Sequence, residues 1–215
     1  MSTKTLNPSG KKHRFGKAWM HEHVTDPYVK EAQRLGYRSR SAFKLIELAD
    51  KDRLFRRGIT VVDLGAAPGS WSQVLRKRLG PEARIIAVDM LPMSPLPGVT
   101  FVQADFATDE GLAAVKAALG SARADLVLSD MAPNLSGIDS VHQARSVHLA
   151  ELALEFASFS LQPGGDFVVK LFQGAGLAEF ERAVAQQFAK TYLRKPKASR
   201  DRSREVFIVA RQRLA

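Results

Sequence analysis

Short runs of branched apolar residues recur along the chain and read as buried strands at Thr60–Leu64, Arg84–Val88, Val99–Val102, Leu126–Ser129, Asp166–Lys170 and Val206–Val209, with a weaker run at Thr191–Leu193. Between them, apolar positions return every three or four residues over 70–79, 110–119, 143–160 and 177–189, and a further helical pattern at 40–50 precedes the first strand. Strand and helix in alternation require right-handed crossovers, so the pattern predicts an α/β fold with a mostly parallel, seven-stranded sheet covered by helices on both faces. Such sheets bind ligands beyond the carboxyl ends of their strands, where the strand order reverses. Candidate chemistry is therefore sought just after each strand.

Composition narrows the picture. A chain of 215 residues with 45% apolar content can bury one core, and we expect one domain over 26–215 preceded by a basic arm over 1–25. The arm makes a poor targeting helix, because Pro8 and Gly10 interrupt it. No apolar run approaches the roughly 18 residues of a membrane span, so no membrane partner is expected. Cysteine is absent, which excludes disulfides, thiolate zinc sites and a cysteine nucleophile, and fits a reducing, cytoplasmic setting. His21, Glu22 and His23 lack companions at ligand spacing, and no metal is expected.

The net charge of +10 is unevenly placed. Residues 1–60 carry 14 Lys and Arg against 6 Asp and Glu, and residues 194–215 carry 8 against 2. The stretch between them is net acidic. A polyanion gripped by two basic ends explains this arrangement through counterion release from phosphates; the competing explanation is a solvated basic surface.

The first strand runs into Asp63-Leu64-Gly65-Ala66-Ala67-Pro68-Gly69-Ser70-Trp71. Small residues let the backbone pass close to a ligand, and Gly69 can open the next helix. The spacing fits neither the dinucleotide fingerprint nor a phosphate-binding loop with its lysine. An Asp-x-Gly-x-x-x-Gly loop in this position resembles the S-adenosylmethionine site of Rossmann-like methyltransferases. In that resemblance, Asp89 after the second strand meets the cofactor ribose and Asp105 after the third meets the adenine amino group. Taken singly, each aspartate could equally cap its loop.

Ser129-Asp130-Met131-Ala132-Pro133-Asn134 closes the fourth strand without the Pro-Pro-aromatic sequence usual in base-amino methyltransferases. With no cysteine for pyrimidine C5 chemistry, an oxygen acceptor is favoured. Lys170 ends one strand and Glu205 begins another, and Lys44 on the early helix completes the order Lys, Asp, Lys, Glu. The segments Ser39–Leu45, Val61–Trp71, Ser129–Gly137, Val168–Gly174 and Ser203–Val206 together resemble the FtsJ/RrmJ family of ribosomal RNA 2′-O-methyltransferases, over about residues 22–210.

That resemblance implies a catalytic tetrad of Lys44, Asp130, Lys170 and Glu205. It also implies cofactor contacts from Gly69, Trp71, Asp89, Asp105 and Asp130, with S-adenosyl-L-methionine as cofactor. The implied substrate is a uridine of large-subunit ribosomal RNA, probed by a monomeric enzyme within the large ribosomal subunit. Family members often carry Gly at the position of Ser70. Methylation of transfer RNA or a cap, and a non-catalytic RNA-binding assembly role, stand as alternatives. Lys170 is the choice for general base, but an ordinary lysine titrates near about 10.4, so neutrality near pH 7.4 needs roughly 4 kcal/mol. Burial and the Lys44 charge push toward neutrality, Asp130 and Glu205 push against it, and a protonated lysine that orients the hydroxyl remains the other reading.

Overall fold

The computed structural model describes residues 25–133 and 139–215. The arm expected over 1–25 lies outside the described residues except for Thr25, as do Trp19, His21, Glu22, His23 and, later in the chain, Asn134 to Gly137.

Helices α1 (Pro27–Leu35) and α2 (Ala42–Asp52) precede β1 (Thr60–Leu64). There follow α3 (Ser70–Leu79), β2 (Arg84–Asp89), β3 (Val99–Gln103), α4 (Asp109–Leu119), β4 (Ala124–Ser129), α5 (Asp139–Ser160), β5 (Leu161–Phe172), α6 (Leu177–Ala185), β6 (Phe188–Arg194) and β7 (Glu205–Arg213). The strands form one seven-stranded sheet in the order β3-β2-β1-β4-β5-β7-β6. Neighbours from β3 through β5 are parallel, whereas β7 runs antiparallel to both β5 and β6. The sheet is therefore mixed at one edge. The reversal has a functional consequence, since it starts β7 at the same rim where β1, β2, β4 and β5 end.

Side-chain alternation sorts the two faces. In β5, Phe167, Val169 and Leu171 enter the core beneath α4, α5 and α6, while Val168 faces the core built with α2 and α3. Lys170 shares the parity of Val168 and so projects toward α2. Across the antiparallel pair, Lys170 sits opposite Phe207 and Phe172 opposite Glu205, which puts Glu205 and Phe207 on that same face.

Three boundaries differ from the sequence pattern. α6 stops at Ala185 rather than near 189, because Phe188 turns into a full-length β6. β5 starts at Leu161, and its pairing with β4 shifts register between Ala124 and Leu126. That irregularity accommodates Pro163-Gly164-Gly165, with Gly164 at φ 79°, a stretch that reads as a loop in the sequence. α1 has no counterpart in the pattern, since it buries only Val29 and Ala32; its ends are set by Asp26, which accepts from the Tyr28 amide at 2.9 Å, and by Gly36 at φ 72°.

Candidate active site

The β1–α3 loop is shaped by main-chain proximity. Gly65 adopts φ 77°, and a Cβ there would stand 2.9 Å from the Met131 backbone beyond β4. Gly69, at φ 102°, caps α3. Ser70 follows with an ordinary helical backbone, so a serine fits at this position without strain, and its hydroxyl meets that of Ser39 at 2.6 Å.

The three aspartates at the carboxyl ends of β1, β2 and β3 fare differently. Asp63 is fully buried; Ser72 donates to its Oδ2 at 2.7 Å, and its Oδ1 has no partner. Burial pushes its carboxyl up to about 7, the Ser72 hydrogen bond opposes that, and the charges of Asp130 and Asp89 add to the rise. Asp89 accepts from the Ala67 amide at 2.9 Å and the Leu91 amide at 2.8 Å, which couples the glycine loop to the segment after β2. Asp105 is exposed, and its Oδ1 accepts from the Ala107 amide at 3.0 Å. Loop capping and room for a ligand coexist at both, because each carboxylate retains accepting capacity.

Trp71 is 2% exposed, its indole N–H donates to the Ser41 carbonyl at 2.9 Å, and its ring lies 5.9 Å from that of Phe207. The side chain is core, so any ligand contact from this residue runs through its main chain in the first turn of α3, where amides lack helical acceptors.

Lys44, Asp130, Lys170 and Glu205, far apart in sequence, gather at the sheet rim as two ion pairs. Lys44 Nζ stands 2.7 Å from Glu205 Oε1 and donates to Oε2 at 2.8 Å. Lys170 Nζ stands 2.9 Å from Asp130 Oδ1 and donates to the Asp130 carbonyl at 2.6 Å. All four side chains are at least four-fifths buried, yet none is sealed in. Burial pushes the Glu205 carboxyl up, but the Lys44 ammonium and the more distant Lys170 charge outweigh it and hold the group below its ordinary value. The Lys44 charge is thus matched by a carboxylate at contact distance.

Asp63 is the residue that sequence reasoning quoted without assigning a role. Its signal was an acid inside an otherwise apolar strand. The aromatics near the site pack among themselves, with Tyr28 and Tyr37 ring centroids 5.5 and 5.9 Å from that of Phe43. His142 lies against Phe172, its ring centroid 5.0 Å away. Among the described residues no cluster of His, Asp or Glu could hold a metal ion, and no helix is long and apolar enough to cross a membrane.

A family model described as FtsJ-like methyltransferase matches residues 37–213. A protein of Azoarcus sp. (strain BH72) named ribosomal RNA large subunit methyltransferase E is 56% identical over 199 residues, covering 93% of this chain and 97% of its own. A Bordetella pertussis protein of the same name is 53% identical, covering 93% of this chain and 98% of its own. Among solved structures, a Plasmodium falciparum protein assigned as a ribosomal RNA methyltransferase aligns with TM-score 0.75 at 29% identity, over 83% of this chain and 100% of its own. Human methyltransferase-like protein 13, solved in complex with SAH, shares the fold with TM-score 0.56 at 16% identity, over 80% of this chain and 85% of its own.

Proposed function

This chain belongs to the FtsJ-like methyltransferase family, and from that premise we propose that it transfers a methyl group from S-adenosyl-L-methionine to a ribose 2′-hydroxyl of a uridine in large-subunit ribosomal RNA. The observation that carries the chemistry is the convergence of the Lys44–Glu205 and Lys170–Asp130 pairs beside the glycine loop. The substrate comes from the relatives, whose shared name places their action on large-subunit ribosomal RNA. We place the enzyme in the cytoplasm, acting as a monomer on the ribosomal subunit.

The loop fits the cofactor. Gly65 has no space for a Cβ against Met131, and the buried Asp63 Oδ1 is left as an acceptor without a donor on the same sheet face as Lys170. Asp89 would accept from the cofactor ribose hydroxyls and Asp105 from the adenine amino group, while Gly69, the Trp71 main chain and Asp130 would line the remainder. When bound, S-adenosylmethionine supplies a methyl already activated on a sulfonium.

What this chain must add is alignment of the acceptor oxygen and management of its proton. The Asp130 carbonyl accepts from Lys170 and the Asp130 carboxylate pairs with the same ammonium, while Lys44 is held by Glu205. This arrangement favours the orienting role: Lys170 directs a remaining N–H to the 2′-oxygen, and the hydroxyl proton faces the Asp130 carboxylate. The Lys44–Glu205 pair fixes the wall opposite.

The test supplies labelled cofactor with naked large-subunit RNA, assembled subunits or transfer RNA from cells lacking the enzyme, and maps the methylated atom. One uridine 2′-oxygen of large-subunit RNA is the expected product; label on a base, or on transfer RNA alone, would contradict the assignment. With Lys170 orienting, the single-turnover rate stays level between pH 7 and 9. A requirement for neutral lysine would instead raise it about tenfold per pH unit over that range.

A further inference from the structure

The connector between α1 and α2, residues 36–41, is bonded along its length to the first turn of α3 and, through Arg38, to the glycine loop. Gln73 of α3 accepts from the Arg38 amide at 2.7 Å and donates to the Gly36 carbonyl at 3.1 Å. Ser39 meets Ser70, and the Trp71 indole donates to Ser41. At the centre, the Arg38 guanidinium donates from Nη1 to the Pro68 carbonyl at 2.9 Å and to the Ser94 carbonyl at 2.8 Å, and from Nη2 to the Pro95 carbonyl at 3.0 Å. Pro68 belongs to the glycine loop, whereas Ser94 and Pro95 belong to the segment that follows Asp89.

These two segments are the walls between which the cofactor would lie. The guanidinium also sits against Gly69, where a Cβ would come within 2.6 Å of Nη1 and 2.7 Å of the Met93 sulfur. A planar fork with several fixed donors can hold three carbonyls from two loops at set distances, which a flexible point charge cannot. The connector meets the catalytic side as well, since Arg40, which pairs with Asp26 at 2.9 Å, donates at 2.6 Å to the carbonyl of Ala198, in the segment leading to Glu205.

We infer that Arg38 is a positioning residue for cofactor binding: its guanidinium sets the separation of the 65–69 loop from the 90–95 segment and so preorganises the cleft. This rests on the reading of that cleft as the S-adenosylmethionine site. Arg38 touches neither the tetrad nor any position assigned to the acceptor, so its influence falls on cofactor affinity. The bland alternative is a staple that contributes only to stability. Arg76 provides the comparison, because it makes a similar clasp on the carbonyls of Gly80, Ala83 and Gly98 at the other end of α3.

The test titrates S-adenosylmethionine into wild type, Arg38→Ala, Arg38→Lys and Arg76→Ala by calorimetry, with melting temperatures and steady-state kinetics measured in parallel. Loss of charged hydrogen bonds that hold the walls should weaken cofactor binding by Arg38→Ala about tenfold and raise the cofactor KM to match. The kcat at saturating cofactor and the KM for RNA should stay within about twofold, and Arg38→Lys should recover part of the affinity. Arg76→Ala should melt lower yet bind the cofactor as wild type does. If Arg38→Ala binds within about twofold of wild type, or if both arginine variants lose affinity in proportion to melting temperature, the inference is overturned. Should Arg38→Ala fail to fold, Arg38→Lys decides alone, with undiminished affinity as the contrary result. Wild-type protein that binds no S-adenosylmethionine overturns the reading of the cleft itself, and the inference with it.

Discussion

At the scale of single residues, burial decides what each charged group can do. Asp63 lies fully buried with one oxygen unpartnered, and its carboxyl is raised to about 7. In the unfolded chain an aspartate titrates near about 3.9. Between these values the folded state keeps a proton that the unfolded state releases, so this group's contribution makes stability fall as pH rises from about 4 through about 7. Denaturant unfolding of Asp63→Asn across that window should give a flatter profile than wild type; parallel profiles would show that Asp63 ionises alike in both states. Glu205 has the opposite sign: its lowered value supplies stability above the ordinary carboxylate range that is lost on acidification. Asp130, Lys170 and Glu205 were legible in the sequence because each stands at the end or start of an apolar run, and Lys44 was legible through the resemblance carried by Ser39–Leu45. Their pairing was not, since which lysine meets which acid depends on strand order and face, and neither is local.

At the scale of elements, the short runs of branched residues located every strand, and β5 shows why boundaries resist such reading. Its first residues pass through Pro163-Gly164-Gly165 and regain pairing with β4 only after a register shift. Propensity there argues for a loop, and tertiary pairing overrides it. α1 was invisible for the converse reason: its nine residues carry only two buried apolar positions, too few for a periodic signal. The glycine loop was readable as a loop, but the neighbour that makes Gly65 necessary, Met131 after β4, is distant in sequence. Gly65→Ala combines a positive φ with a backbone clash and should destabilise the fold by about 2 kcal/mol. Chemical denaturation measures this, and a change below about 0.5 kcal/mol would mean that the loop relaxes freely.

At the scale of the whole molecule, the antiparallel β7 is the feature that assembles the site. Because β6 and β7 are joined at the rim where the parallel strands end, the basic segment 195–204 and Glu205 arrive beside Lys170 and Asp130. The sequence showed two basic ends, and the structure divides them by task. Arg194 pairs with Asp52 and Arg211 with Asp166, both within the fold; Arg40 and Lys44 likewise meet Asp26 and Glu205. Lys197 is exposed at the rim, where charge is available to a phosphate backbone. A count of lysines and arginines could not make that division, because partners such as Asp52 and Arg194 are brought together only by the fold.

Replacement of Lys170 by alanine, with cofactor affinity and single-turnover methyl transfer measured on the same preparation, probes the site most directly. The arrangement of the rim predicts cofactor binding within about twofold of wild type and a transfer rate lower by about a thousandfold or more. Transfer within about tenfold of wild type would contradict a role for this ammonium in holding the acceptor oxygen.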